Sequence, residues 1–219
     1  MPELGPNDLS NIKKLKERLN SWDYIHDMSE LVKDYDQEYI GSGSESVVVR
    51  HKDKSDRLVA FNYRDIEPKR AKEIFYLQRV FSTLFPHNFP HFYASAGKDP
   101  IRENISGTVR KQVIGFKGSP AEIIYPFKKV EKILSDLEIG VSHDSFFENF
   151  IIGEDGGEYY VDTLFLHDPY KFQNVQNWNI DKIVKYMQDN KYTERDVDIV
   201  RTSIERLKSK DVKPSIYVE

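Results

Sequence analysis

The strongest constraint on the fold of this chain comes from residues 141–162, where short apolar runs end in polar residues. Asp144 and Asn149 flank an aromatic segment, and a second apolar run leads into Asp162. Gly156-Gly157 separates the runs, which predicts a β-hairpin that brings oxygens at its two ends to one point. Mg²⁺ prefers carboxylate and amide oxygens. The stretch therefore predicts Asn149 and Asp162 as metal ligands, with Asp144 placed to orient or deprotonate an attacking hydroxyl.

The spacing of these residues resembles a known family. Four residues separate Asp144 from Asn149, and Asp162 follows a hairpin, as in the catalytic loop and metal-binding segment of the protein-kinase-like fold. The stretch is most similar to the compact bacterial branch of that fold, which includes aminoglycoside and other small-molecule phosphotransferases. Two positions depart from the family pattern: His143 directly precedes the Asp instead of standing two before it, and Thr163-Leu164 replaces the Phe-Gly of the family.

Composition excludes several other classes of function. Charged residues make up 31% of the 219 residues and the net charge is −4, so no general attraction to nucleic acid or anionic lipid is expected. The chain has no cysteine, which excludes disulfides, thiolate zinc sites and cysteine nucleophiles. No apolar run approaches the ~20 residues that span a bilayer, and the first residues do not resemble a signal peptide. We therefore expect a cytoplasmic protein without nucleic-acid or membrane partners.

A glycine-bearing segment lies between Tyr39 and Arg50, after two predicted amphipathic helices over residues 7–22 and 21–31. In kinase-like folds a Gly-x-Gly-x-x-Gly-x-Val hairpin covers the nucleotide phosphates, because residues without Cβ let backbone N–H groups approach the anion. The alternative is an ordinary flexible turn. Ser46 replaces the third glycine. The resemblance assigns six residues of the segment to the nucleotide: Gly41, Ser42, Gly43, Ser44, Ser46 and Val48.

The next strand, predicted over residues 58–64, resembles the Val-Ala-x-Lys strand of the family. Asn62 stands where the phosphate-pairing lysine belongs. Strand alternation keeps Ala60, Asn62 and Arg64 on one face, so Arg64 is a candidate to bring a cation to the same cleft. Two alternatives remain open: Arg64 substitutes for the lysine, or ATP binding is weakened or abandoned.

A helix is predicted from Glu67 to Phe81, with Pro68 in its first turn, where a missing N–H costs nothing. The resemblance makes Glu73 the partner of Arg64 in place of the usual ion pair. The alternative is a surface Glu73 that pairs with Lys69 or Lys72. After the helix, His87 and His91 lack clustered carboxylates and are interpreted as loop residues that bind no metal.

The central part of the chain predicts strands over residues 108–116 and 121–126. In a kinase-like fold the second strand leads into the hinge, so backbone groups of residues 124–127, around Tyr125, are expected to meet the adenine edge. Three helices are predicted after it, over residues 128–137, 180–188 and 193–208.

Together these features predict an α+β, two-lobed protein-kinase-like fold with a small antiparallel sheet in the N-lobe and a reduced, mainly helical C-lobe. Residues 1–125 are expected to form the N-terminal helices and the N-lobe, and residues 126–219 the C-lobe.

The function that the resemblance implies is transfer of a phosphoryl group from ATP, with Mg²⁺, to a small hydroxylated molecule. A protein substrate is less expected, because no segment resembles an extended peptide platform. A second hypothesis is a pseudokinase that binds nucleotide or regulates without catalysis, which Asn62 and Thr163-Leu164 favour. A third is a metal-dependent hydrolase that uses His143, Asp144 and Asp162, although their spacing matches no known ligand set. The sequence leaves open the substrate, phosphoryl against nucleotidyl transfer, and the oligomeric state.

Overall fold

The computed structural model describes residues 39–42, 46–51, 54–62, 66–97, 107–116, 120–139, 149–161, 175–211 and 216–219. These residues form nine strands and four α-helices, a mixed α+β arrangement that agrees with the predicted class. The predicted helices over residues 7–22 and 21–31 lie outside the described residues.

Six strands form the first sheet, in the order β1-β2-β3-β5-β4-β9. Their bounds are β1 Tyr39–Ser42, β2 Ser46–His51, β3 Lys54–Asn62, β4 Phe92–Ala96, β5 Gly107–Lys111 and β9 Ile216–Val218. Antiparallel pairing joins β1 to β2, β2 to β3, β3 to β5 and β4 to β9. The C-terminal strand thus adds to the outer edge of β4 and covers backbone groups that would otherwise form an open edge.

Strand β3 has one buried and one half-buried face over its second half. Leu58, Ala60 and Asn62 are buried, whereas the residues between them are half-buried. This period of two is the pattern expected of a strand with one face against a core. Strand alternation therefore places Ala60 and Asn62 on one face, as the sequence predicted.

Helix α1, Pro68–Leu84, follows β3 and confirms the helix predicted there. Pro68 is its first residue, where the fixed φ of proline suits a helix start. The helix buries an apolar stripe, of which each member is at most 1% exposed: Ile74, Leu77, Val80, Phe81 and Leu84.

The elements not yet described follow β5 along the chain. Three short strands form the second sheet in the order β6-β7-β8, with bounds β6 Gly115–Phe116, β7 Phe150–Gly153 and β8 Glu158–Tyr160. The helices are α2 Pro120–Asp136, α3 Ile180–Asp189 and α4 Glu194–Lys208, and one 3₁₀ turn spans Val175–Asn177. Residues from α1, α2, β7, β8, α3 and α4 share one hydrophobic core. The helices predicted over residues 180–188 and 193–208 are confirmed.

Two predictions for the centre of the chain are wrong. The strand predicted over residues 121–126 is the first part of α2, and the strand predicted over residues 108–116 is two strands, β5 and β6, that belong to different sheets. Ile123 and Ile124 locally favour a strand, but the preference of a β-branched residue over a good helix former is below about 1 kcal/mol. Burial of Val130 and Leu134 later in the same helix stabilises the helix by more than this local preference opposes it.

The described chain divides into two compact units. One contains the described residues up to Lys72, residues 93–112 and β9, and the other contains residues 73–92 and residues 113–211 as far as they are described. The lobe boundary predicted between residues 125 and 126 falls inside α2, and the two predicted lobes stay a prediction.

Helix α4 begins with a reciprocal cap. The Thr193 hydroxyl accepts a hydrogen bond from the Asp196 backbone N–H at 3.1 Å, and the Asp196 carboxylate accepts one from the Thr193 N–H at 3.2 Å. This capping box satisfies two N–H groups that have no partner inside a helix.

We expect Thr193→Ala to lower the free energy of unfolding by about 1 kcal/mol, because the cap is lost. The matched control is Thr202→Ala, which removes the same side chain from an exposed position in the middle of α4. Since alanine is the better helix former, the control should leave stability unchanged or raise it slightly. Urea titration followed by circular dichroism measures both changes, and equal effects of the two substitutions would contradict the role of the cap.

Candidate functional site

The predicted hairpin at the centre of the candidate site is confirmed. Strands β7 and β8 pair antiparallel, with Phe150 opposite Tyr160 and Ile152 opposite Glu158. Gly156 lies in the turn with φ of +77°, a conformation that side chains with Cβ rarely adopt. Asn149 immediately precedes β7, so it stands at the open end of the hairpin.

The open end of the hairpin is described at Asn149 and Val161. The Val161 N–H donates to the Asn149 carbonyl at 2.8 Å, which extends the pairing by one step beyond Phe150 and Tyr160. Asp162 is the next residue after Val161 and lies outside the described residues, as does Asp144. The structure thus places Asn149 directly beside the residue that precedes Asp162.

The loop that follows α1 holds the hairpin from its β8 side. The Tyr160 N–H donates to the Asn88 carbonyl at 2.8 Å, and the Asn88 side-chain amide donates to the Glu158 carbonyl at 3.2 Å. The Tyr160 ring lies 5.2 Å from the Phe150 ring and 6.1 Å from the Phe89 ring, measured between centroids. Phe150 and Tyr160 are buried in the core.

A carboxylate closes the turn of the hairpin. Asp155 accepts a hydrogen bond from the Tyr159 hydroxyl at 2.6 Å and another from the Gly157 N–H at 3.0 Å. Both bonds lower the pKa of Asp155, and the bond from the Tyr159 hydroxyl has the larger effect. Burial, together with the hydrogen bond to Asp155 and its negative charge, raises the pKa of Tyr159 to about 12. The sequence reasoning did not find this contact, although an Asp in a glycine-rich turn is a common sign of side-chain to backbone bonding.

The third strand of this sheet approaches β7 closely. Gly115 pairs with Gly153, and a Cβ on Gly115 would lie 2.0 Å from the Ile152 carbonyl oxygen, so the pairing requires glycine there. The Glu154 N–H donates to the Ile114 carbonyl at 3.0 Å. Ile114 and Phe116 are 61% and 62% exposed, which is unusual for large apolar side chains.

The prediction that a strand leads into a hinge at residues 124–127 is wrong, because Tyr125 lies within helix α2. Helical backbone groups bond to one another along the helix, so they do not offer the free edge that a hinge strand presents. The segment that leaves β5 is Gln112–Ile114, which runs directly into β6.

The glycine-bearing segment forms the predicted hairpin between β1 and β2. Gly41 pairs with Val48, and Ser42 pairs with Val47. Gly43 and Ser44 fall in the three residues between the strands and lie outside the described residues. On the other side of β2, Val48 is opposite Ala60 and Ser46 is opposite Asn62. Ser46 and Val48, which the resemblance assigns to the nucleotide, are therefore neighbours of Asn62 and Ala60 on the paired strand. The resemblance places Ala60 on the nucleotide side as well, and Asn62 stands where the family has its lysine.

Several polar residues around the predicted phosphate side are more buried than polar side chains usually are. Asn62 is 4% exposed, and its amide nitrogen has no hydrogen-bond partner among the described residues. Lys72 was one of the two lysines considered as partners of a surface Glu73. It is 5% exposed and makes contacts within the protein. Glu73 is half-buried on α1, and Arg64 lies outside the described residues, so their pairing stays a prediction. Sequence periodicity along β3 was the available signal for the burial of Asn62.

The predicted metal site is described only at Asn149. Its side chain has an oxygen of the hard type that Mg²⁺ takes, and its predicted partners Asp144 and Asp162 fall outside the described ranges. Within those ranges, no three His, Cys, Asp or Glu side chains cluster as metal ligands would. None of the helices described has the length and apolar character needed to cross a bilayer. Neither the models of protein families nor the curated proteins give a match to this sequence.

We expect Asp155→Asn to lower the pKa of Tyr159 from about 12 while leaving it above 10, because the negative charge is removed and the burial remains. NMR of ring-labelled tyrosine during an alkaline titration measures this. Tyr192 is the internal control: burial raises its pKa to about 12 without Asp155, so its titration should not change.

The pH dependence of the turn follows from the same two groups. Because the Asp155 pKa is lowered, the contact stabilises the hairpin above the ordinary value of 3.8 and is lost as the pH falls through the lowered pKa. Because the Tyr159 pKa is raised, the stabilisation is complete below pH 10 and is lost as the pH rises through about 12. A Tyr159 titration that is identical in Asp155→Asn would contradict the assigned contact.

Proposed function

We propose that the chain has a protein-kinase-like fold and is an ATP- and Mg²⁺-dependent phosphotransferase that acts on a small hydroxylated substrate. The observation that carries the proposal is the hydrogen bond from the Val161 N–H to the Asn149 carbonyl, which sets Asn149 beside the residue that precedes Asp162 in the sequence. Two oxygen ligands at the open end of one hairpin are an arrangement suited to Mg²⁺ bound to phosphates.

The order of the elements along the chain gives further support. A hairpin with Gly41 and Gly43 comes first, then a strand with Ala60, then a helix with Glu73, and later the Asp144-to-Asn149 spacing with its hairpin. This is the order that the resemblance implies. The sheet supports the nucleotide side of the proposal, because Val48 and Ala60 are opposite each other on β2 and β3.

Because residues 121–126 are part of helix α2, the proposed hinge lies elsewhere in the chain. We assign the adenine edge to Gln112–Ile114, the segment between β5 and β6, and to the adjoining β6. Ile114 and Phe116 expose apolar side chains that a planar base would cover. Tyr125 is withdrawn from the nucleotide side.

In the proposed reaction Asp144 accepts the proton of the substrate hydroxyl while that oxygen attacks the γ-phosphorus of ATP. The bond between the γ-phosphorus and the bridging oxygen breaks, and ADP leaves with the electron pair. Asn149 and Asp162 would hold Mg²⁺, which when bound neutralises charge on the phosphates. Asp144 and Asp162 thus have different tasks, one in proton transfer and one in binding.

We expect Asp144→Ala to lower the rate of Mg²⁺-dependent ATP turnover by about 10²- to 10⁴-fold, because a positioned proton acceptor contributes that much. Asp162→Ala should also remove turnover and raise the magnesium concentration that is required. The control is Asp198→Asn, which neutralises an exposed carboxylate on α4. Turnover that persists in both Asp144→Ala and Asp162→Ala would exclude the proposed assignment.

A second candidate function is nucleotide binding without catalysis. The observation that favours it is the neutral, buried Asn62 at the position of the phosphate-pairing lysine. Thr163-Leu164, which replaces Phe-Gly, points the same way.

A ligand titration separates the two candidates from a protein that binds no nucleotide. Because ligands that bind the native state stabilise it by mass action, ATP with Mg²⁺ at 100 times its Kd should raise the free energy of unfolding by about 2.7 kcal/mol. We expect this increase in a thermal-shift assay, with cytidine as the control ligand. An increase without turnover on any hydroxylated compound supports the binding function, and no increase at millimolar ATP contradicts both candidates.

A further inference from the structure

The buried face of β3 contains polar atoms that the described part of the protein does not satisfy. Asn62 is 4% exposed and Thr108, on β5, is 1% exposed. Neither the amide nitrogen of Asn62 nor the hydroxyl oxygen of Thr108 has a hydrogen-bond partner there. Buried side-chain polar atoms are bonded in the large majority of cases, so two exceptions on neighbouring strands require an explanation.

The register of the sheet places the two residues on one face. Ala60 is opposite Thr108 in the antiparallel pairing of β3 with β5, and residues that are directly opposite point to the same side of a sheet. Asn62 follows Ala60 by two residues on β3 and so shares that side. The residue between the two unsatisfied groups is alanine, which has the smallest side chain that carries a Cβ.

The same face reaches the glycine-bearing hairpin. Ser46, the first residue of β2 after the glycine-bearing turn, is opposite Asn62. Under the proposed function this turn covers the nucleotide phosphates, so Asn62 is the buried donor at the phosphate end of the face. The lysine expected at position 62 would be a cation, whereas the amide of Asn62 is neutral.

We propose that Asn62 and Thr108 form a neutral polar subsite for the nucleotide, in which the Asn62 amide donates a hydrogen bond to a phosphate oxygen and the Thr108 hydroxyl bonds to the same ligand. This inference rests on the proposed function and adds a condition to it. A neutral donor does not compensate phosphate charge, so the ligand of this subsite is the nucleotide with part of its charge already balanced by Mg²⁺. Free ATP should bind far more weakly than ATP with Mg²⁺.

The first experiment compares stability with binding in Asn62→Leu, a replacement of similar shape. Because it removes a buried donor without a partner, the ligand-free variant should melt about 2–8 °C higher than the parent protein. Its Kd for ATP with Mg²⁺, measured by calorimetry, should rise about 10- to 100-fold, because a hydrogen bond to a charged group is lost. Thr108→Val should change both quantities in the same directions.

The matched control is Ser95→Ala. Ser95 is also fully buried, with a hydroxyl that no described residue satisfies, but it lies on β4, where it is opposite Tyr217 of β9. Its replacement should leave the Kd for ATP unchanged. A folded Asn62→Leu with the Kd of the parent protein would overturn the inference, because Asn62 would then be an unsatisfied group without a ligand.

A measurement on the unaltered protein covers the case in which the variants fold poorly. The side-chain amide signals of Asn62 in a ¹⁵N spectrum, assigned by their loss in Asn62→Ala, should shift on addition of ATP with Mg²⁺ and shift little with ATP and a chelator. Signals that stay in place while the protein binds the nucleotide would refute the subsite.

Failure of the inference differs from failure of the proposed function. If the unaltered protein binds ATP with Mg²⁺ and Asn62→Leu binds it equally well, only the subsite is refuted. If the unaltered protein binds no nucleotide by calorimetry or thermal shift, the proposed function and the subsite fall together.

Discussion

The backbone hydrogen bond from Val161 to Asn149 is the interaction on which the candidate site depends. It continues the β7–β8 pairing to the open end of the hairpin and holds the backbones of Asn149 and Val161 next to each other. A hairpin that slipped by one residue would turn Phe150 and Tyr160 out of the core, because side chains alternate across a strand. The two buried rings therefore hold the register, and the register holds Asn149 beside Val161.

The core extends this constraint to the helices of the same unit. Rings in sequence from Phe81 through Phe89 and Tyr160 to Phe150 lie 5.2–6.1 Å apart, so the end of α1 and the hairpin share one set of contacts. The Tyr192 hydroxyl donates to the Leu84 carbonyl and joins the turn before α4 to the last turn of α1. The short hairpin is thus supported by packing against other elements, which a two-stranded ribbon needs because it is only marginally stable alone.

The sequence predicted several elements whose ends are marked by a residue that favours a helix start, a helix cap or a turn. Pro68 begins α1, Thr193 caps α4, and Gly156 forms the turn of the hairpin, so each boundary could be found from the sequence. Helix α2 begins with the same kind of marker, Pro120, but the β-branched Ile123 and Ile124 that follow it suggested a strand where tertiary burial selects a helix. The candidate site was predictable in the same measure: the hairpin and Asn149 follow from spacing. The burial of Lys72 on α1 depends on which surface covers it, and that information is not local.

Asn62 shows how stability and function oppose each other in this sheet. An apolar residue would suit a position that is 4% exposed better than an amide whose nitrogen has no partner in the described structure, because an unsatisfied buried donor costs about 1–3 kcal/mol. A lysine there would require a counter-charge at the same depth. An amide is the intermediate solution: it costs less than a buried charge in the ligand-free protein, and under the proposed function it would still offer a donor to a phosphate oxygen. In that proposal Mg²⁺, and not a lysine at position 62, balances most of the charge of the phosphates.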